Sequence, residues 1–221
     1  MNLTLQTFNY SIFGNFKEIL INIAKVKTIF SNGDLSVVPS NLSTSTAYLY
    51  KDSQMKVLIA VNRIDFLYDT YDSIPIEEIS SFLKKISTQI NFVITRIALN
   101  CGMFIEDKDS SIITKINSLI PFFNFNANAN LNELLLRQNL EFKHHEKKFN
   151  DVLTIGNANV QNNKTFAVLK VCAFDFDINS FAGENYTFNL NELNDYFTII
   201  FSKFNNRVSA LLKTLESVLG R

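Results

Sequence analysis

The chain has no tryptophan and, in 221 residues, only 6 glycines, 3 prolines, 2 cysteines and 2 histidines. Each shortage excludes something. No glycines fall in a GxGxxG or GxxxxGK[ST] pattern, so a backbone cradle for nucleotide phosphates is not encoded, and nucleotide hydrolysis is the activity set aside most firmly. Two cysteines cannot build the disulfide framework of a small secreted scaffold. Cys101 and Cys172 sit in apolar, β-prone stretches, where a thiol serves as a small buried hydrophobe. The N-terminus lacks the basic start and continuous apolar run of a signal peptide, so a cytoplasmic location is expected. Charge of either sign is not in excess: 21 basic residues balance 21 acidic ones, leaving no net field to draw phosphates or an anionic membrane. The densest basic cluster, Lys143, His144, His145, Lys147 and Lys148, is short and interrupted by Glu146. No apolar run approaches the roughly 18 residues that cross a bilayer. Neither nucleic acid, a membrane span nor a cofactor is therefore expected.

What the chain has is apolar mass, 47% hydrophobic residues with 21 phenylalanines, enough to bury one core across a single domain over residues 1–221. Asparagine, isoleucine, lysine and phenylalanine are all heavily used, and all have codons rich in A and T, so asparagine abundance carries no functional argument by itself. The stretch from Phe122 to Asn132 (FFNFNANANLN) is read as a polar loop after Pro121.

Periodicity supplies the elements. Leu3 to Phe13 reads as a strand ended by Gly14, and Asn15 to Ile23 as a helix with Phe16, Ile19, Leu20 and Ile23 on one stripe. An extended Val26 to Phe30, a turn at Ser31 to Asp34 and a polar loop follow. Thr46–Lys51 and Lys56–Tyr68 read as a hairpin joined through Asp52 to Gln54. Pro75 opens a helix with Glu77 and Glu78 in its first turn and Ile79, Phe82, Leu83 and Ile86 on its apolar stripe. Phe92 to Ile105 is a strand. Asp109 or Ser110 caps a short helix ending at Pro121. Leu131 to Leu140 is ambiguous, turning to strand after Leu136. Val152–Val160 and Thr165–Ile178 pair through a polar turn. Asn189 caps a closing helix of roughly 27 residues, about 40 Å long, with Leu193, Phe197, Ile200, Phe201, Phe204, Val208, Leu211, Leu215 and Val218 on one face. The pattern of two strands and a long helix occurs twice, giving a pseudo-repeat over 46–105 and 141–219. Short turns imply antiparallel pairing. The expected class is α+β, a curved antiparallel sheet with long amphipathic helices on one side.

Three places carry a resemblance: Val57 to Ile105 with its Arg96-Ile97-Ala98-Leu99-Asn100 segment; the strand ending Phe174-Asp175-Phe176-Asp177-Ile178; and the closing helix with Asn194, Phe197, Phe201 and Phe204. Together they resemble a sporadically distributed family of bacterial proteins of similar length for which no activity is established. The likeness covers about the last three quarters of the chain; Asn100 and Cys101 depart from the charge that the family pattern carries after the arginine-led strand. It implies a shared α+β fold and an accessory or mobile-element setting, with no catalytic residues to carry over.

Chemistry-bearing constellations are few. Asp175 and Asp177 leave one face of a strand, an arrangement able to bind a divalent cation if Asn179, Glu184 or Asp195 completes the shell; a solvated polar face is the plainer reading. His144 and His145, consecutive on a strand, are expected on opposite faces, unable to chelate one ion together, and no nucleophile in a sharp turn accompanies them. Arg63 and Asp65 share a strand face and, with Arg96, form a polar cluster or an ordinary ion pair. The rings of Phe174, Phe176, Phe197, Phe201 and Phe204 either line an apolar pocket under the closing helix or fill the interior at normal density. The leading expectation is a non-enzymatic module that binds another protein or itself, of an accessory or immunity-like kind. The alternatives are a carrier of a small hydrophobic molecule and a metal-dependent hydrolase centred on Asp175 and Asp177.

Overall fold

The computed structural model describes residues 3–22, 25–26, 34–38, 47–52, 55–70, 76–108, 111–118, 135–161 and 166–219. Their elements run β1 (Thr4–Asn15), α1 (Lys17–Ile21), β2 (Asp34–Val38), β3 (Ala47–Asp52), β4 (Met55–Ile59), β5 (Arg63–Tyr68), α2 (Ile76–Ser87), β6 (Val93–Glu106), α3 (Ser111–Ser118), β7 (Leu135–His144), β8 (Lys147–Gln161), β9 (Val168–Ser180) and α4 (Leu193–Leu219). The strands form one antiparallel sheet in the order β2-β3-β4-β5-β1-β6-β9-β8-β7. The α+β class is as the sequence implies. Among the described residues no helix is long and apolar enough to cross a membrane.

The strand order reveals how the two halves relate. In each, a long strand leads through a short helix into an antiparallel meander whose last strand returns to pair with the first, and a longer helix follows. β5 pairs with β1, β9 pairs with β6, and the two opening strands pair with each other at the centre. The units therefore start at Thr4 and Val93. The strand Val93–Glu106, grouped with the first repeat when the sequence is read locally, opens the second unit.

Several local readings change for physical reasons. Gly14 does not end its strand. It sits at a register shift where β1 passes so close to β6 that an added Cβ would lie 1.9 Å from the Val93 carbonyl oxygen, and β1 runs on to Asn15. The arm Lys56–Tyr68 is two strands, broken at Val61 and Asn62, whose carbonyls accept from the backbone N–H groups of Phe16 and Gly14. β2 occupies residues expected to be loop. Asp109 and Ser110, the expected cap of α3, lie outside the described residues; Asp107 serves this helix end, its two carboxylate oxygens accepting from the N–H groups of Ile112 and Ile113 at 3.0 and 3.1 Å. Asn189 accepts from the Asn191 N–H ahead of α4, close to its expected capping role. The loop Phe122 to Asn132, the extended segment after Val26 and the Pro121 stop lie outside the described residues.

All the helices contribute to one core on one side of the sheet. α4 places Leu193, Phe197, Ile200, Phe204, Val208, Leu211 and Leu215 inward, over β6 and β9 and against α2 and α3. Each buried phenylalanine or leucine contributes about 1.5–3 kcal/mol, so this stripe is the main adhesive between helix and sheet. The side chains of Ser80 and Asn194 hydrogen-bond between α2 and α4. Arg207 reaches from α4 to Asp151 of β8.

Candidate functional site: the open face of the sheet

Strand alternation divides the sheet cleanly. In β1, Phe8, Tyr10 and Ile12 enter the core, leaving Asn9, Ser11 and Phe13 on the opposite face. In β6, Ile97, Leu99, Cys101 and Met103 face inward and Ala98, Asn100, Gly102 and Phe104 outward. In β9, Phe174, Phe176 and Ile178 face inward and Asp175, Asp177 and Asn179 outward. The register aligns the outward residues into two rows across the strands. One runs Leu67, Asn9, Asn100, Asp177, Val152, Asn139; the next runs Asp65, Ser11, Ala98, Asn179, Asn150, Glu141.

These rows are hydrogen-bonded. Asn9 Nδ2 donates to Ser11 Oγ at 2.8 Å, and Ser11 Oγ donates to Asp65 Oδ1 at 2.6 Å. Arg63 Nε lies 2.8 Å from Asp65 Oδ2. Asp65 is only 4% exposed, and its burial is tolerated because one oxygen is paired with a guanidinium and the other with a hydroxyl. In the second half Asn179 Nδ2 donates to Asp177 Oδ1 at 2.8 Å, with longer contacts of 3.4 and 3.3 Å linking Asn150 to Asn179 and Asn139 to Asn150. Asn179 is 5% exposed and Ser11 1%, although nothing helical covers this face among the described residues.

The sequence-derived candidates fall as follows. Asp175 and Asp177 do share a face, but neither Glu184 nor Asp195 joins them: Glu184 pairs with Lys148 at 3.2 Å and Asp195 with the histidines. Asn179, the third residue considered, reaches Asp177 by donating a hydrogen bond. Burial raises the Asp175 carboxyl above its ordinary value. Arg63 and Asp65 form the ordinary ion pair; Arg96 instead lies over the Phe13 ring at 4.9 Å, beside a hollow of about 500 Å³ bordered by Thr95, Phe181 and Asn185. Phe174, Phe176, Phe197 and Phe204 are fully buried and Phe201 half-buried. Rings meet edge-on in this cluster, at 5.3 Å for Phe176 with Phe204 and 4.9 Å for Tyr10 with Phe197, while Phe201 stacks on Phe204 at 6.1 Å. That is the contact pattern of a filled interior.

The histidines depart from the strand reading. β7 ends at His144, and His145 begins a two-residue turn with φ of 44°, followed by Glu146 at 60°. The reversal brings both rings to the same side, with Nε2 atoms 2.8 and 2.6 Å from Asp195 Oδ2. The hydrogen bond from His144, reinforced by His145, holds the Asp195 carboxyl below its ordinary value. Both buried thiols are pushed up to about 12, Cys101 by desolvation and then Asp175, Cys172 by desolvation and then Asp107.

The rows themselves escape sequence reading, because asparagine abundance carries no information until register places Asn9, Asn100 and Asn179 on adjacent strands. No family model matches the chain, and no curated protein is significantly similar to it.

Proposed function

We propose that this chain is a non-enzymatic interaction module of an accessory or immunity-like kind, whose open sheet face receives a partner protein; the sequence resemblance, which implies an accessory or mobile-element setting, accords with it. The observation that carries the reading is the chain from Asn9 through Ser11 and Asp65 to Arg63, with its counterpart from Asn179 to Asp177. A sheet face that only meets water needs no such order, and long flexible lysines and glutamates serve there as well. Here short amides and hydroxyls are held in place by one another. A partner that hydrogen-bonds to the half-buried Asn9 and Asp177 and the exposed Arg63, which the buried Ser11, Asp65 and Asn179 hold in place, therefore avoids much of the ~0.5–1.5 kcal/mol that immobilising each free side chain costs.

Charge supports a protein rather than a nucleic acid. Lys56, Arg63 and Arg137 are interspersed with Asp65, Asp175, Asp177 and Glu141 on this face, a mixture that complements another protein's polar surface and would repel a phosphate backbone as often as attract it. The packed phenylalanine core favours this reading over a carrier of small hydrophobic molecules.

The test is site-specific photo-cross-linking in the native host, with the photoreactive residue at Asn100 or Thr154 on the open face and at Ser209 or Glu216 on the outer side of α4. The expected result is one discrete protein adduct from the open-face positions and none from α4. An adduct formed through α4 instead, or no adduct at any position, overturns the assignment.

A further inference from the structure

We propose that His144, His145 and Asp195 form a binding site for a late first-row divalent cation, best matched by Zn²⁺, at the tip of the β7–β8 hairpin where it meets the first turn of α4. The site is separate from the open face, since α4 lies on the helix-bearing side of the sheet. Its three donor atoms all lie within 4.8 Å of one another, and among the described residues this is the group of three metal-capable side chains. An ion bonded to imidazole nitrogen at about 2.0–2.1 Å and to carboxylate oxygen at about 2.0–2.2 Å fits such a cluster after a small withdrawal of the carboxylate. Two imidazoles and one carboxylate suit zinc and its neighbours rather than magnesium or calcium, and they leave at least one coordination position to water.

The backbone shows what it takes to assemble the cluster. A two-residue hairpin turn with both φ values positive is normally filled by Asn-Gly, yet here it holds His145 and Glu146. Histidine tolerates the left-handed region better than most residues, but glutamate gains nothing from it. The conformation turns the His145 ring back beside His144, the ring centroids 4.3 Å apart, and both rings meet Tyr196 edge-on at 5.6 and 5.8 Å. These contacts fix two ligands before any ion arrives. Asp195, in the first turn of a 27-residue helix, is fixed by the helix itself. The chain's only two histidines are both spent here. The ammonium of the adjacent Lys147 sits over the Tyr186, Phe188 and Tyr196 rings at 5.9, 5.2 and 5.3 Å, engaged with π faces.

Isothermal titration calorimetry of the full chain with ZnCl₂, and the visible absorption of the Co²⁺-loaded protein, test the site. The expected result is one ion per chain, with affinity reduced at least about tenfold in each of H144A, H145N and D195N, and a Zn²⁺-dependent rise in Tm for the parent that the variants lack. H145N keeps a residue at ease with positive φ, so it isolates the ligand from the turn. Absence of saturable binding, or unchanged affinity in H145N and D195N, overturns the proposal.

Discussion

Replacing Arg207 by methionine removes a guanidinium that fastens α4 to the second half of the sheet. Its Nε donates to both oxygens of Asp151, at 3.1 and 3.0 Å, and Nη1 donates to Gln138 Oε1 at 2.6 Å. The side chains are 17% exposed for Arg207 and 7% for Asp151. With the cation gone, the Asp151 carboxylate stays buried beneath α4 without its counter-charge. Breaking a buried pair by deleting one partner costs about 3–5 kcal/mol, and the partial access of water at the arginine end places R207M near the bottom of that range, about 3 kcal/mol. D151N is milder, about 2 kcal/mol, because the freed guanidinium keeps Gln138 and some water. The double variant D151L/R207M buries no charge and is expected within about 1 kcal/mol of the parent. In urea, with a slope near 2–3 kcal/mol/M for a chain of this size, R207M lowers the unfolding midpoint by about 1–1.5 M. A shift under about 0.3 M, or a D151L/R207M variant that loses as much stability as R207M alone, would refute the reasoning.

Gly14→Ala puts a methyl group where the Val93 carbonyl oxygen lies 1.9 Å away; parting the two central strands costs about 2 kcal/mol, a fall in Tm of roughly 4–8 °C by calorimetry. Tyr10 is fully buried with a hydroxyl that finds no partner among the described residues, so Y10F is expected to match or exceed parental stability, by up to about 1 kcal/mol, and a measured loss larger than that would locate a missed partner. Cys101 and Cys172, with thiol values pushed up to about 12, are expected to stay unmodified by iodoacetamide at pH 8 in the folded protein and to react fully once it is unfolded. The same shifts fix a sign: thiols raised in the folded state favour folding below about pH 9 and withdraw that support as pH rises towards 12. The stability curve should therefore fall through the alkaline range, and fall less steeply in C101A/C172A.

Legibility followed the range of the forces involved. α2 and α4 are visible in the sequence because each carries an unbroken apolar stripe at helical spacing, and β6 and β9 because their apolar residues alternate. The break at Val61 and Asn62 lacks glycine or proline, and β2 offers only Leu35, Val37 and Val38 beside a turn signal, so the meander reads as one hairpin. Gly14 looks like punctuation until the approach of Val93, far along the chain, explains it. The open-face rows depend on register between distant strands, as in the Ser11–Asp65 bond across 54 residues. Strand alternation alone puts His144 and His145 on opposite faces; the positive φ at His145 reverses that expectation.

The central claim is that the open face is ordered before any partner arrives. NMR relaxation of the asparagine side-chain amides in the free protein addresses it directly, with the exposed Asn205 and Asn206 of α4 as internal references. The account predicts order parameters for the Asn9 and Asn179 amides near the ~0.85 of rigid backbone, well above the references. Values for Asn9 and Asn179 below about 0.6, indistinguishable from Asn205 and Asn206, would contradict it.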